Sequence, residues 1–257
     1  MPSAFQLENV SCHYGSFTAV DGVSVSIESG ERVAFIGPSG SGKTTLLRVM
    51  NTMRSQEEGT LSIFGQDPGN FSGGELQSFR SSIATIPQHL GLIPNLTAIQ
   101  NVILGRGGKR GTLRSVKDLL FPSTADKLAI HELLERVGIA EKLFSPVARL
   151  SGGQQQRVAI ARALFQKPKA LLADEPVSSV DPARARDTVK LFKELSDELG
   201  FTLCVSLHDV ALAKEFFPRL VGLRAGKIVF DGAPSELSDS ELSALYDLSD
   251  EEMMKDA

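Results

Sequence analysis

The sequence has little cysteine, no long apolar run and no surplus of positive charge. Its two cysteines, Cys12 and Cys204, lie far apart, and Cys204 sits inside an apolar, strand-like run. A disulfide is not expected, which suits a reducing compartment. No stretch approaches the ~18 consecutive apolar residues of a bilayer-spanning helix, so any membrane role has to run through a partner. The opening Met1-Pro2-Ser3-Ala4-Phe5 has neither a basic n-region nor an apolar h-region, and no signal peptide is expected. Lys plus Arg number 27 against 31 Asp plus Glu, a formal charge of −4, so no basic face argues for nucleic acid. Internal repeats, low-complexity segments and heptad runs are not found either. What remains is a 257-residue chain long enough for one large domain, or two small ones, around a sizeable core.

The stretch that organises it is Gly37-Pro38-Ser39-Gly40-Ser41-Gly42-Lys43-Thr44-Thr45. It fits G-x-x-x-x-G-K-[ST], the phosphate-cradling loop. Arg32 to Ile36 before it reads as a short buried strand, and Lys43 to Met50 after it reads as a helix. Glycines let successive N–H groups turn toward one anion, and the helix aims its positive end at the same place. Lys43 adds a full charge for the β- and γ-phosphates, and Thr44 offers a hydroxyl to Mg²⁺. The alternative is a plain glycine-rich turn, but a chance match has odds on the order of 10⁻² per chain, and the flanking strand and helix lower them. The chain is therefore expected to bind a nucleoside triphosphate.

Elsewhere, Phe5 to Val10 and Val23 to Ile27 alternate apolar and polar residues as half-buried strands do. With Gly59 to Ile63 they predict an antiparallel layer beside the strand feeding the phosphate loop. Ile83 to Ile86, Ala170 to Ala173 and Thr202 to Leu207 read as buried strands, and Leu220 to Leu223 with Lys227 to Phe230 as a hairpin around Ala225-Gly226. From about Leu92 to Leu150 the character is helical, clearest near Asp126 to Val137, where Ile130, Leu133, Leu134 and Val137 share one face. Further helices are expected over Ser151–Phe165, about Ala183–Leu199 and Val210–Phe217, and in an acidic tail that frays at Asp250-Glu251-Glu252. Gly105 to Gly111 is glycine-rich and basic, either a docking or phosphate-contact loop or a mobile solvated one. Alternating strands and helices predict an α/β fold with a mostly parallel sheet and a phosphate site at the carboxyl ends of its strands.

Three further stretches bear on chemistry. Leu171-Leu172-Ala173-Asp174-Glu175 is an apolar strand ending in two carboxylates: Asp174 is placed for the Mg²⁺ shell and Glu175 for polarising the attacking water. A surface acidic pair before Pro176 is the plainer alternative. The strand ending at Leu207 is followed by His208, which could bond a γ-phosphate or be structural. Leu150-Ser151-Gly152-Gly153-Gln154-Gln155-Gln156-Arg157 places a hydroxyl and two glycines at a helix start, either a second anion site or an ordinary serine cap.

The order of GPSGSGKTT, Gln88, LSGGQQQR, LLADE, SSVD and His208 resembles the ATP-binding subunits of ABC transporters over nearly the whole chain. The resemblance implies a P-loop NTPase fold of ABC type. The chain would form one domain: a catalytic core over about 1–91 and 151–235, an inserted helical subdomain over about 92–150 and a tail from about 236. It implies ATP and Mg²⁺ as cofactors. It also implies a head-to-tail dimer with a second copy, each ATP lying between one phosphate loop and the other copy's Ser151, Gly152, Gly153 and Gln154. Tyr14 would stack on adenine, though alone it reads as a half-buried core aromatic. Gln88 would join Mg²⁺ or the lytic water and sense the membrane partner. Asp181 would cross the dimer interface, though it could equally cap the helix starting near Pro182. Asn101 to Arg106, VSLHDVALA and FPRLVGLRAGKIVFDG are most similar to phosphonate-import ATPases. That implies transmembrane permease subunits, an extracytoplasmic binding protein and a peripheral position on the cytoplasmic face of the inner membrane. The length is expected to leave no room for the C-terminal regulatory domain of sugar or methionine importers. Gln100 departs from the family's usual Glu, and the Gly107–Gly111 run is unusually glycine-rich. Another ABC importer, an exporter-type or cell-division ATPase, and a soluble ABC ATPase acting on DNA or the ribosome stand as alternatives.

Overall fold

The structure, a computed structural model, describes residues 3–109, 117–178 and 180–246. Its centre is a six-stranded sheet in the order β5-β6-β7-β3-β8-β9. These are Ile83–Ile86 (β5), Ala170–Asp174 (β6), Thr202–Leu207 (β7), Arg32–Ile36 (β3), Arg219–Arg224 (β8) and Lys227–Gly232 (β9). Every pairing is parallel except β8 with β9. The inner strands are apolar on both faces, as a sheet covered on both sides requires. Period-two alternation then divides the core. Val33 and Phe35 of β3 face one cluster, while Ala34 and Ile36 face the other.

The first cluster is closed by an antiparallel sheet of β2 (Phe17–Glu28), β1 (Ser3–Tyr14) and β4 (Glu58–Ile63), with helix α1 (Lys43–Met50) packed inside. The expected antiparallel layer is present, but β1 and β2 run to twelve residues each. They continue past register shifts that break the alternation, through the buried pair Cys12 and Val20, into a hairpin that pairs Tyr14 with Phe17. The second cluster is covered by helices α3 (Ala98–Ile103), α4 (Thr124–Arg136), α5 (Gly152–Phe165), α6 (Pro182–Leu199) and α7 (Val210–Phe216). Leu245 of the last described helix, α8 (Asp239–Tyr246), is fully buried in the same cluster. Helix α2 (Gly73–Arg80) was not anticipated: it fully buries none of its residues, and half-buried Leu76 and Phe79 alone make too short an apolar period to read. Arg110 and Gly111 of the glycine-rich run, and the tail residues Asp250, Glu251 and Glu252, lie outside the described residues.

The turn between Gln88 and α3 is held by Asn101, which is fully buried. Its Nδ2 donates to the carbonyls of Ile93 (3.0 Å), Leu96 (3.3 Å) and Thr97 (3.1 Å), and its Oδ1 accepts from Ile93 N at 2.8 Å. The unusual Gln100 is structurally neutral. Its Oε1 accepts from Thr97 N at 3.0 Å, closing a capping box that Glu or Gln serves alike.

Candidate active site

The phosphate loop leaves β3 and enters α1 through three glycines at positive φ: Gly37 (145°), Gly40 (77°) and Gly42 (106°). Two are also sterically required. A Cβ on Gly37 would lie 2.1 Å from the Leu223 carbonyl oxygen, and one on Gly42 would lie 2.4 Å from that of Ala19. The ladder of α1 begins with Leu46 N on Gly42 O at 2.9 Å. The N–H groups of Lys43, Thr44 and Thr45 precede it and have no carbonyl to meet, and no side chain caps this end. Lys43 is buried, and its Nζ donates to Gly37 O and Pro38 O, both at 2.8 Å. Burial pulls its ammonium below the ordinary lysine value, against the opposing field of Glu175 and Asp174. A cation held at such a cost, beside a turn of open amides, suits a polyanion.

The carboxylates of β6 converge on this loop. Thr44 Oγ1 donates to Asp174 Oδ1 at 3.0 Å, and Ser206 Oγ donates to the same oxygen at 2.8 Å. A hydroxyl beside a carboxylate is the hard-oxygen pair that suits Mg²⁺, which binds through one or two carboxylates and otherwise keeps water and phosphate ligands. Among the described residues no cluster of three or more His, Cys, Asp or Glu forms a larger metal cage. Glu175 stands at φ 45°, unusual for a residue with a side chain. Its Oε2 accepts from Gln88 Nε2 at 2.9 Å, and its Oε1 pairs with His208 Nε2. The structure thus gathers Thr44, Asp174, Glu175, Gln88 and His208 into one constellation. It places Gln88 on Glu175 and not on the Thr44–Asp174 pair.

A cleft of about 200 Å³ opens over the loop, lined by Gly40 to Thr45, Ala19, Glu175, Tyr14 and Phe17. Tyr14 is 43% exposed, so it is not a core residue, and the Arg54 guanidinium lies 4.7 Å from its ring centroid. Phe17, 59% exposed, was missed from sequence, although its place across the hairpin from Tyr14 puts two aromatics at one mouth. A larger cavity of about 380 Å³ lies elsewhere, lined by Arg106, Leu133, Phe165 and Phe201 among others. None of the phosphate-loop or carboxylate residues borders it, so size does not locate the chemistry here.

Ser151 to Gln154 do not line the cleft. Ser151 caps α5: its N donates to Gln154 Oε1 at 3.0 Å and its Oγ accepts from Gln154 N at 3.3 Å. Gly152 and Gly153 have nothing within 4 Å of a built Cβ, so this helix start faces open space. Asp181 does what its local sequence allows, capping α6 by accepting from Arg184 N at 3.1 Å.

A family profile described as ABC transporter matches residues 20–178, more than half of the chain and inclusive of the loop, Gln88, the α5 start and both carboxylates. The chain belongs to the ABC transporter family. The chain is 40% identical over 250 residues to the phosphonates import ATP-binding protein PhnC 2 of Oceanobacillus iheyensis, covering 97% of this chain and 98% of that one. It is also 40% identical over 247 residues to the hypophosphite import ATP-binding protein HtxD of Stutzerimonas stutzeri, covering 95% and 71%. Among solved structures it is similar to MJ0796, described as a dimeric bacterial ABC transporter cassette, with a TM-score of 0.78 and 31% identity over 90% of this chain and 98% of that one. This ABC chain is thus the ATP-hydrolysing part of a transporter, a family whose ATPases work in pairs with a permease. No helix among its described residues is long and apolar enough to cross a membrane.

Three other side chains bear on the ABC site without a signal in sequence. Gln156 and Arg162 of α5 bond the turns after Glu175 and Gln88, respectively. Tyr246 of α8 accepts the Gly37 N–H at 3.0 Å across 209 residues of chain.

Proposed function

We propose that this chain powers the import of phosphonate or a closely related reduced-phosphorus oxyanion. The carrying observation is the near-full-length likeness to PhnC 2 together with that to HtxD, proteins named for phosphonate and hypophosphite import. The chain would sit on the cytoplasmic face of the inner membrane, held there by permease subunits that receive solute from an extracytoplasmic binding protein. Its helical segment, about Leu92 to Leu150, would grip the permease next to Gln88.

In this reading the nucleotide is Mg-ATP, which supplies the anhydride that water cleaves. Gly37, Pro38, Ser39, Gly40, Ser41 and Gly42 shape the cradle, and Lys43, Thr44 and Thr45 present amides to the phosphates. Lys43 would turn its ammonium from its carbonyls to the anion, and Thr44 with Asp174 would hold Mg²⁺, which would offset phosphate charge there. Glu175 accepts a proton from the attacking water, while Gln88 and His208 hold that carboxylate and the water in line. Tyr14 lies against the adenine. The ~200 Å³ cleft is smaller than the ~300–1,000 Å³ of sites that enclose a ligand, which favours a site completed by another surface. The outward-facing Ser151-Gly152-Gly153-Gln154 of a second copy supports that role, with Asp181 beside the same interface, and a two-fold dimer would satisfy both sites at once.

Growth of a strain lacking this chain tests the solute. Loss of growth on methylphosphonate, phosphite or hypophosphite as sole phosphorus source, with growth on phosphate intact, is expected. Unchanged growth on all of them would overturn the assignment and leave the ATPase reading standing.

A further inference from the structure

Helix α5 does more than present Ser151. Gln156, one turn further on, points inward and is 6% exposed. Its Nε2 donates to the Pro176 carbonyl at 2.7 Å, and its Oε1 accepts from Thr188 Oγ1 at 3.4 Å. Pro176 follows Glu175, whose φ of 45° lies in a region that side-chain-bearing residues avoid unless their surroundings enforce it. On the other side, Glu175 N donates to Ser206 Oγ at 2.8 Å. The strained residue is therefore held before by Ser206 and after by Gln156, while Gln88 and His208 hold its carboxylate.

We infer that Gln156 is a positioning residue for hydrolysis. It fixes the Glu175–Pro176 turn so that the carboxylate stays on Gln88 and His208, and it ties that carboxylate to the helix that begins at Ser151. The inference rests on the role of Glu175 proposed above. Arg162, on the same helix, donates to the carbonyls of Leu90 and Gly91, so α5 also holds the turn from which Gln88 reaches Glu175. A ligand drawn against Ser151–Gln154 by a second copy would then bear on this copy's own Glu175 through one buried amide. The two nucleotide sites of a dimer would be coupled by that route.

Gln156→Met keeps length and bulk and removes the donor. Thr188→Val removes the amide's other bond and leaves Pro176 held. Gln156→Met is expected to lower hydrolysis at saturating Mg-ATP roughly 10- to 100-fold, as small misplacements of reacting groups do. ATP affinity should stay within about twofold, since this is a loss in the reacting step alone. The slow variant should also accumulate as a dimer in Mg-ATP, because ATP stays in place, whereas Thr188→Val should behave as the parent. A merely structural role would lower Tm without trapping a dimer. Should Gln156→Met fail to fold, Gln156→Glu, which keeps shape and the Thr188 acceptor, is read by the same measures. Either folded variant turning over at the parent rate, or losing affinity instead of rate, overturns the assignment. Glu175→Gln in parallel separates the failures: parent-like turnover there removes the proposed role of Glu175 and this inference with it. An inactive Glu175→Gln beside a parent-like Gln156→Met removes only this one.

Discussion

Tyr246→Phe deletes one oxygen and keeps the ring. That oxygen accepts the N–H of Gly37, whose own carbonyl accepts Lys43 Nζ at 2.8 Å, so a single residue links the last described helix to the buried loop lysine. Gly37 is buried, so water cannot fully replace the phenol. A net hydrogen bond contributes about 0.5–1.5 kcal/mol, and a buried donor left unmet costs about 1–3 kcal/mol. A loss of about 1–2 kcal/mol is the expectation, which at about 2–4 °C per kcal/mol for a chain of this size lowers Tm by about 2–8 °C. Part of that loss should appear in binding, raising the Kd for ATP by up to about tenfold, the equivalent of 1.4 kcal/mol. Differential scanning calorimetry and equilibrium dialysis read the two effects separately. Burial raises the Tyr246 phenol above its ordinary value, the bond from Gly37 opposes this, and Asp209 adds to the rise. A group raised on folding keeps its contribution below the unfolded value, about 10 for tyrosine, and loses it as pH rises through the folded one. The difference between parent and variant should therefore be flat from pH 6 to 9. An unchanged Tm and Kd would refute the strut, and a lower Tm with unchanged Kd would confine it to stability.

Lys43→Ala should weaken ATP binding by at least roughly tenfold, since charge-assisted hydrogen bonds contribute about 1.5–3 kcal/mol each; calorimetric titration reads this. Ser151→Arg should abolish hydrolysis yet leave ATP binding to the isolated monomer intact, because its helix start does not line its own cleft; lost monomer binding would contradict the shared site. Chelating Mg²⁺ should stop turnover, and Thr44→Val should raise the Mg²⁺ concentration needed for half-maximal hydrolysis, since Asp174 alone remains to hold it.

The features legible in the sequence were the local ones. Arg32 to Met50 declared strand, loop and helix in one stretch, because glycine spacing and apolar run both act over a few residues. The α4 helix was read to within two residues at its start, Thr124 for Asp126, because Ile130 and Leu134 repeat on one face. Helix α2 escaped because only Leu76 and Phe79 on it are even half-buried, and the full length of β1 and β2 escaped because register shifts between Leu7 and His13 break the period-two alternation. At the site, Asp174, Glu175 and His208 were nominated by position at strand ends, and Gln88 by the family resemblance. Their mutual bonds, the seat of Gln88 on Glu175 above all, depend on how β5, β6 and β7 lie side by side. The grips of Gln156 on Pro176 and of Tyr246 on Gly37 were invisible for the same reason. A glutamine within a helix and a tyrosine near a tail carry no local mark of the distant backbone groups they meet.

Light scattering coupled to size exclusion on Glu175→Gln tests the central claim most directly. With water activation lost, ATP should remain bound between two chains, since it binds the closed pair better than the open one. The account predicts a mass that doubles on adding Mg-ATP and returns to the monomer with ADP or when Ser151→Arg is added to the same chain. A monomer that binds ATP at full stoichiometry, or a Glu175→Gln protein that hydrolyses ATP at the parent rate, would contradict it.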